Sequence, residues 1–205
     1  MNTTTSRPAD RAGTPARSWR VVDIVVAAVL AAVCAVIFWA WSNLLYPAVS
    51  AATVAYPPSA GLIVGGWLVA GVLGGLIIRK PGAALFVEVL AAAISGLLGT
   101  SFGLLVVASG LIQGLGAELV LAAFRYRRFD LPVAALAGAV SGLFLGVSEN
   151  LLYHYEWVLS HQVVYVVLSV LSGAVLAGVL VWWAVRALAA TGVLQGLAAG
   201  RAARR

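Results

Sequence analysis

Cysteine occurs once in these 205 residues, charged side chains make up 10% of them, and no lysine or arginine lies at the centre of a long apolar run. Each scarcity excludes something. Cys34 alone forms no intramolecular disulfide, and inside its apolar run it reads as a small hydrophobe. With so few charges, 62% hydrophobic residues and a mean hydropathy of +1.02, a soluble domain of this length has too little interior for its apolar surface. A bilayer supplies that apolar solvent, so the chain is an integral membrane protein. The apolar runs are continuous rather than alternating in segments of about ten residues, which excludes a β-barrel. No G-x-x-x-x-G-K-[ST] phosphate loop is present, so the chain hydrolyses no ATP by that route. No nucleophile motif points to an enzyme, no motif points to a cofactor, and hydropathy shows no inverted repeat. His154 and His161 with Glu149 and Glu156 match no known metal-ligand spacing.

What remains is six apolar runs, at about 21–42, 59–78, 82–99, 102–124, 131–154 and 162–188, each long enough to approach a ~30 Å hydrocarbon core at ~1.5 Å per residue. The expected architecture is an all-α integral membrane protein. Residues 1–18 form a disordered cytoplasmic tail, 19–190 a six-helix membrane domain, and 191–205 a basic cytoplasmic C-terminal tail. The basic residues set the orientation. All 13 lie in the N-terminal tail, the 79–81 turn, the 125–130 loop or the C-terminal segment, and the intervening connections carry none. The positive-inside rule then places both termini in the cytoplasm of a bacterial cell membrane. The net charge of +6 is thus a topology signal and not a nucleic-acid patch. The small residues in "VSAATVA" resemble a cleavage site, but the first run is too long for a signal peptide.

Pro81 and Pro132 open the third and fifth spans. Pro47, Pro57 and Pro58 make the 43–58 connection extended and stiff, and with Tyr46 and Tyr56 it is either a lid or an interfacial loop with aromatic anchors. Small residues recur every four positions: Ala27, Ala31 and Ala35, widened by Ala28 and Ala32; Gly61 and Gly65; Gly71 and Gly75; Gly110 and Gly114; Gly138, Gly142 and Gly146. This spacing lets helices approach closely. Most of these stripes read as packing within the chain; the alanine face of the first span is either that or a docking face for another subunit.

Polar groups at membrane depth need a reason, because an ionised one near the bilayer centre costs about 2.5–3.5 kcal/mol on insertion scales. The candidates are Glu88, Gln113 and Glu118, and then Glu149, Asn150, Tyr153 and His154 at the outer end of the fifth span, with Trp157 a turn beyond. No span centre contains a cation to pair with these carboxylates. They are protonated, satisfied by neutral donors, or matched by a cation from outside the chain. Glu88 and Glu118 lie in the cytoplasmic halves of their spans, where a packing role is as reasonable as a binding one. Glu149 lies far from any basic residue and beside aromatic rings. That suits an organic cation, against the alternative of a wet glutamate in an aromatic belt. The same lack of buried cations makes the chain a poor site for phosphate or carboxylate substrates.

At "IIRKPGAALFVEVLAA" (77–92) and "GLIQGLGAELVLAAFRYRRF" (110–129) the sequence resembles the YkoE-type substrate-binding (S) components of energy-coupling factor (ECF) vitamin transporters. The likeness runs from about Trp19 to the end of the sixth span, and "SENLLY" in the fifth adds to it. The resemblance implies six helices with both termini inside and a pocket opening outward. Its ligand would be thiamine or its hydroxymethylpyrimidine moiety, and thiamine's permanent thiazolium charge is the cation missing above. It implies partnership with a membrane coupling protein and two cytoplasmic ATPases. Contact with the coupling protein would run through an Ala-x-x-x-Ala pattern matched by Ala27, Ala31 and Ala35. On this reading Glu149 pairs the cation, and Gln113 and Asn150 read the pyrimidine. Tyr56, Tyr153, His154 or Trp157 stacks on the ligand, while Glu118 closes the pocket floor or fixes packing. The rival expectations are a self-sufficient proton-coupled permease for an organic cation, with Glu88 and Glu118 as proton carriers, and a membrane subunit with no ligand.

Overall fold

A computed structural model describes residues 18–203. All but Ser18 of the expected N-terminal tail lies outside that range. The described residues fold into helices α1 (Val21–Ala52), α2 (Pro57–Ile78), α3 (Ala83–Leu97), α4 (Leu105–Ala123), α5 (Leu131–Leu152), α6 (Leu159–Ala190) and the short α7 (Ala198–Ala203). Five of them, α1, α2, α4, α5 and α6, are long and apolar enough to cross a membrane. The 15 residues of α3 form a shorter apolar helix.

Three departures from regular α-helix shape the bundle. The 43–58 connection expected to be extended is helical as far as Ala52, leaving residues 53–56 as the turn. The reason lies in a π-helical turn at Trp41–Leu45, where Tyr46 N–H bonds Trp41 O five residues back. That wide turn shifts the hydrogen-bond register just ahead of Pro47, which has no N–H to give and would crowd an ordinary preceding turn. In α2 the first half is tight 3₁₀ helix (Pro57–Leu62 and Val64–Leu68) before regular helix begins at Val69. Its backbone is held from outside: Gly65 N–H donates to Ser172 Oγ (2.9 Å), and Ser172 Oγ–H donates to Leu62 O (2.7 Å). Irregular backbone at membrane depth persists where neighbouring groups satisfy it and where it lines a cavity. The third departure is a π segment in α6, Gly173–Leu180.

The small-residue stripes are consumed by packing inside the chain. Gly138 lies against the backbone of Gly173, Gly142 against Ser169 O, and Gly146 against the Ser169 side chain, so α5 and α6 meet backbone to backbone. Helix α1 packs along α3, and Ala27, Ala31 and Ala35 are completely buried. The outward face of α1 carries Val25, Val29 and Val36, each more than half exposed, together with exposed Ala28 and Ala32.

One end of the bundle is basic. Lys80 Nζ reaches Asp23 Oδ2 (2.5 Å) and Ser18 O (2.6 Å), Arg20 pairs with Asp23 at 3.0 Å, and Trp19 Nε1–H donates to Pro81 O (2.9 Å). Arg79 stacks over Phe129 and Arg186 over Trp182, whose indole N–H donates to Phe129 O. These contacts tie the start of α1, the α2–α3 turn, the α4–α5 turn and the end of α6 together. Residues 191–203, expected as a tail, double back here: Leu194, Leu197 and Ala199 are buried, and α7 packs against the ends of α2 and α6.

Candidate functional site

The half of the bundle away from the basic end encloses a cavity. Its cavity volume is ≈ 50 Å³, a narrow slot well below the roughly 300–1,000 Å³ of pockets that hold small organic ligands, so a ring-sized ligand has to part its walls. Four of the residues singled out in the sequence line it: Glu88, Gln113, Glu149 and Tyr153. They come from α3, α4 and α5 and from the residue just past α5. The bundle also brings in Phe38, Ser42, Trp67, Ser95, Phe102 and Ser109, none of which the sequence reading had marked.

Glu88 is fully buried. Its Oε2 accepts the Gly71 N–H at 2.5 Å, while Oε1 has no hydrogen-bond partner among the described residues. A buried carboxylate oxygen without a donor is costly unless a donor or a cation joins it. Glu149 is held from behind, its Oε2 accepting the phenol O–H of Tyr165, which is itself 1% exposed. Among the described residues no lysine or arginine lines the cavity. Two carboxylates therefore face one slot with no protein cation between them.

Aromatic rings form its outer wall. The Trp67 indole N–H donates to Ser42 Oγ (2.9 Å), which sets the ring plane. Trp67 meets Tyr46 at 4.9 Å and Phe102 at 5.6 Å between ring centres. The 3₁₀ segment of α2 positions this tryptophan, and the π turn of α1 places Ser42 and Tyr46 beside it. Serine hydroxyls, one amide and two carboxylates among aromatic walls can take a flat, cationic, hydrogen-bonding ring.

The other expected residues lie elsewhere. His154 stacks on Trp157 at 3.9 Å, and both pack edge-on to Tyr165, so they buttress the tyrosine that holds Glu149. Burial keeps the His154 imidazole below its ordinary pKa, hence neutral at pH 7. Asn150 does not line the slot: its amide N–H donates to Gln162 O (2.9 Å), pinning the end of α5 to the start of α6, and its buried Oδ1 has no partner among the described residues. Tyr56 meets His161 edge-on at 5.3 Å and is 43% exposed.

Glu118 is a helix cap supplied from another helix. Its Oε1 accepts from Gly82 N–H (2.6 Å) and Tyr126 O–H (2.7 Å), and its Oε2 accepts from Ala84 N–H (3.0 Å) and Leu85 N–H (3.3 Å). The first amides of α3 have no partner within their own helix, and a carboxylate also suits the positive end of the helix dipole. Gly82, at φ +82°, makes the turn that aims these amides at α4. With four hydrogen bonds to this carboxylate, the structure leaves it no place among the proton carriers of a permease.

These features describe a membrane-embedded helical bundle with a slot for a small solute. The model of the family described as "ABC-type cobalt transport system, permease component" matches residues 22–144. The Bacillus subtilis (strain 168) protein YkoE, whose name gives it as an HMP/thiamine permease protein, is 37% identical over 189 residues, covering 90% of this chain and 92% of that protein. A solved structure described as an S-component of an ECF transporter superposes with a TM-score of 0.85 at 34% identity, covering 91% of this chain and 94% of the other. The chain belongs to the S components of ECF transporters, as a multi-pass protein of the bacterial cell membrane. Among the described residues no group of three or more histidine, cysteine, aspartate or glutamate side chains is placed to hold a metal.

Proposed function

We propose that this chain captures thiamine or its hydroxymethylpyrimidine moiety from the outer side of the membrane and delivers it inward. It would span the membrane six times with both termini in the cytoplasm, α3 being the shortest span. The observation that carries the ligand assignment is the slot shared by Glu88 and Glu149, where one buried carboxylate oxygen lacks a partner and no protein cation is near. A thiazolium ring carries the matching charge permanently, and an aminopyrimidine offers donors and acceptors to Gln113, Ser42 and Ser109. The name of the Bacillus relative points to the same two compounds. His154 and Trp157 act by packing on Tyr165, which holds Glu149, and Asn150 by pinning α5 to α6, rather than by touching the ligand.

The energy for release comes from partners, a membrane coupling protein and two cytoplasmic ATPases. Ala27, Ala31 and Ala35 cannot meet such a partner, because α3 already covers them. The outward stripe of α1, with Ala28 and Ala32 framed by Val25, Val29 and Val36, is the smooth face left for it.

Calorimetric titration of the purified protein with thiamine and with hydroxymethylpyrimidine tests this reading. Glu149→Gln and Glu88→Gln should each weaken thiamine binding about tenfold, or ~1.4 kcal/mol. They should weaken neutral hydroxymethylpyrimidine less. Absence of saturable binding by both compounds rejects the reading.

A further inference from the structure

A second and roomier cavity lies at the basic end, between the last turns of α6, the α2–α3 and α4–α5 turns and the returning C-terminal segment. About 590 Å³ of it is open to the centres of water-sized spheres. Arg79 and Arg186 line it, and neither forms an ion pair among the described residues. Among the described residues, the carboxylates that would neutralise them are engaged elsewhere. Asp23 pairs with Arg20 and Lys80, Asp130 with Arg128, and Glu118 caps α3. Glu88 and Glu149 face the other cavity, and Glu156 sits in the α5–α6 turn at the opposite end of the bundle.

Each guanidinium carbon sits over an aromatic ring, and among the described residues neither the Nη groups of Arg79 nor any N–H of Arg186 makes a hydrogen bond. Arg79 lies 4.7 Å from the centre of the Phe129 ring, and Arg186 lies 4.9 Å from that of Trp182. The two aromatic platforms are joined by the Trp182 indole N–H to Phe129 O bond (3.1 Å). Arg79 is further pinned by its Nε–H, which donates to Leu76 O (3.0 Å). Its backbone is left-handed, φ +58°, a conformation that glycine or asparagine holds at lower cost, so the arginine keeps this place against its own preference. Stacking uses the π face of a guanidinium, while its in-plane N–H groups make the fork that matches phosphate oxygens.

One remaining wall is apolar, with Val185, Ala189 and Ala199, and the Gln195 amide adds a polar group to the lining. Trp183 packs edge-on to Trp182 and is 58% exposed, so the cavity sits beside a lipid-facing tryptophan at the end of a membrane helix. Tryptophan concentrates at the membrane–water boundary, and basic pockets between membrane helices suit anionic headgroups. We propose that this cavity binds the phosphate of an anionic phospholipid headgroup, with Arg79 and Arg186 as the fork donors and the acyl chains lying along α6 past Trp183. A free phosphate shares the headgroup's chemistry but gains nothing from the apolar wall.

The test is native mass spectrometry of the full detergent-purified chain, titrated with phosphatidylglycerol or phosphatidylcholine of identical acyl chains. Phosphatidylglycerol should be retained at least tenfold better. Arg79→Gln with Arg186→Gln should abolish that preference while the midpoint of thermal unfolding stays within a few degrees. Arg186→Gln alone, an exposed position, should reduce it severalfold and keeps the test valid if the double variant fails to fold. Equal retention of the two lipids, or an undiminished preference in the folded variants, overturns the proposal. Displacement of the lipid by millimolar inorganic phosphate overturns it in favour of a soluble anion. Displacement by a micromolar hexaglutamate peptide overturns it in favour of an acidic protein segment.

Discussion

Replacing Glu118 by glutamine separates the helix cap that the structure shows from a ligand contact at the pocket floor. The amide keeps the shape but only one acceptor oxygen. With that oxygen facing Ala84 and Leu85, the new NH₂ meets Tyr126, whose hydroxyl turns to accept, and Gly82 N–H, which loses its acceptor. Losing one backbone hydrogen bond to a charged acceptor costs about 1.5–3 kcal/mol, and losing the negative charge at a helix N-terminus costs ~0.3–1 kcal/mol. Together these make about 2.5 kcal/mol. For a protein of this size each 1 kcal/mol moves the unfolding midpoint by roughly 2–4 °C, so Tm should fall by about 5–10 °C. Thiamine affinity at a temperature where both proteins are folded should stay within about twofold, because Glu118 does not line the slot. Scanning fluorimetry in detergent reads the first quantity and calorimetry the second. A variant with the wild-type Tm and tenfold weaker thiamine binding would refute the capping assignment and return Glu118 to the pocket.

Two other expectations concern the ends of the bundle. Lys80→Met leaves buried Asp23 with the half-exposed Arg20 as its only charged partner, so stability should drop by about 1–2 kcal/mol; adding Asp23→Asn should restore part of it, and a double-mutant cycle should give a coupling of at least ~0.5 kcal/mol. His154 has its pKa lowered by burial, so the unfolded chain takes up this proton first as pH falls. Its contribution to stability is complete above the ordinary imidazole value near ~6.5 and is lost as pH drops toward the folded value. Tm should therefore fall between pH 7.5 and pH 5, and by less in His154→Phe, which keeps an aromatic ring on Trp157; equal falls in both proteins would remove His154 as the cause.

The α3 region shows where reading the chain succeeds and where it stops. The Arg-Lys-Pro-Gly turn, the apolar run after it and the polar intruder Glu88 are all visible as letters. So are the six apolar runs and the confinement of basic residues to alternate connections, because hydrophobic transfer and the cost of burying charge depend on composition over a window of sequence. The 43–58 segment was misread as extended because a proline normally stops a helix, and the π turn that readmits Pro47 depends on packing around Trp41 and Tyr46. Tyr165 went unmarked because a lone phenol in an apolar run carries no local sign that Glu149 lies across from it.

Sequence alone determined that this is a helical membrane protein, which end is basic, and that no span centre holds a lysine or arginine to pair with the carboxylates at membrane depth. Those conclusions follow from counting groups against a solvent that does not solvate them. Only the tertiary structure decided which polar groups share a cavity. Neighbouring residues on a helix point ~100° apart, so Glu149 faces the slot while Asn150 turns to Gln162. Glu88 keeps an unmet oxygen while Glu118 spends both of its oxygens on α3, although each is a glutamate in the middle of an apolar run. The difference between them is the rotation and crossing of helices that are far apart in the chain, and no local pattern records it.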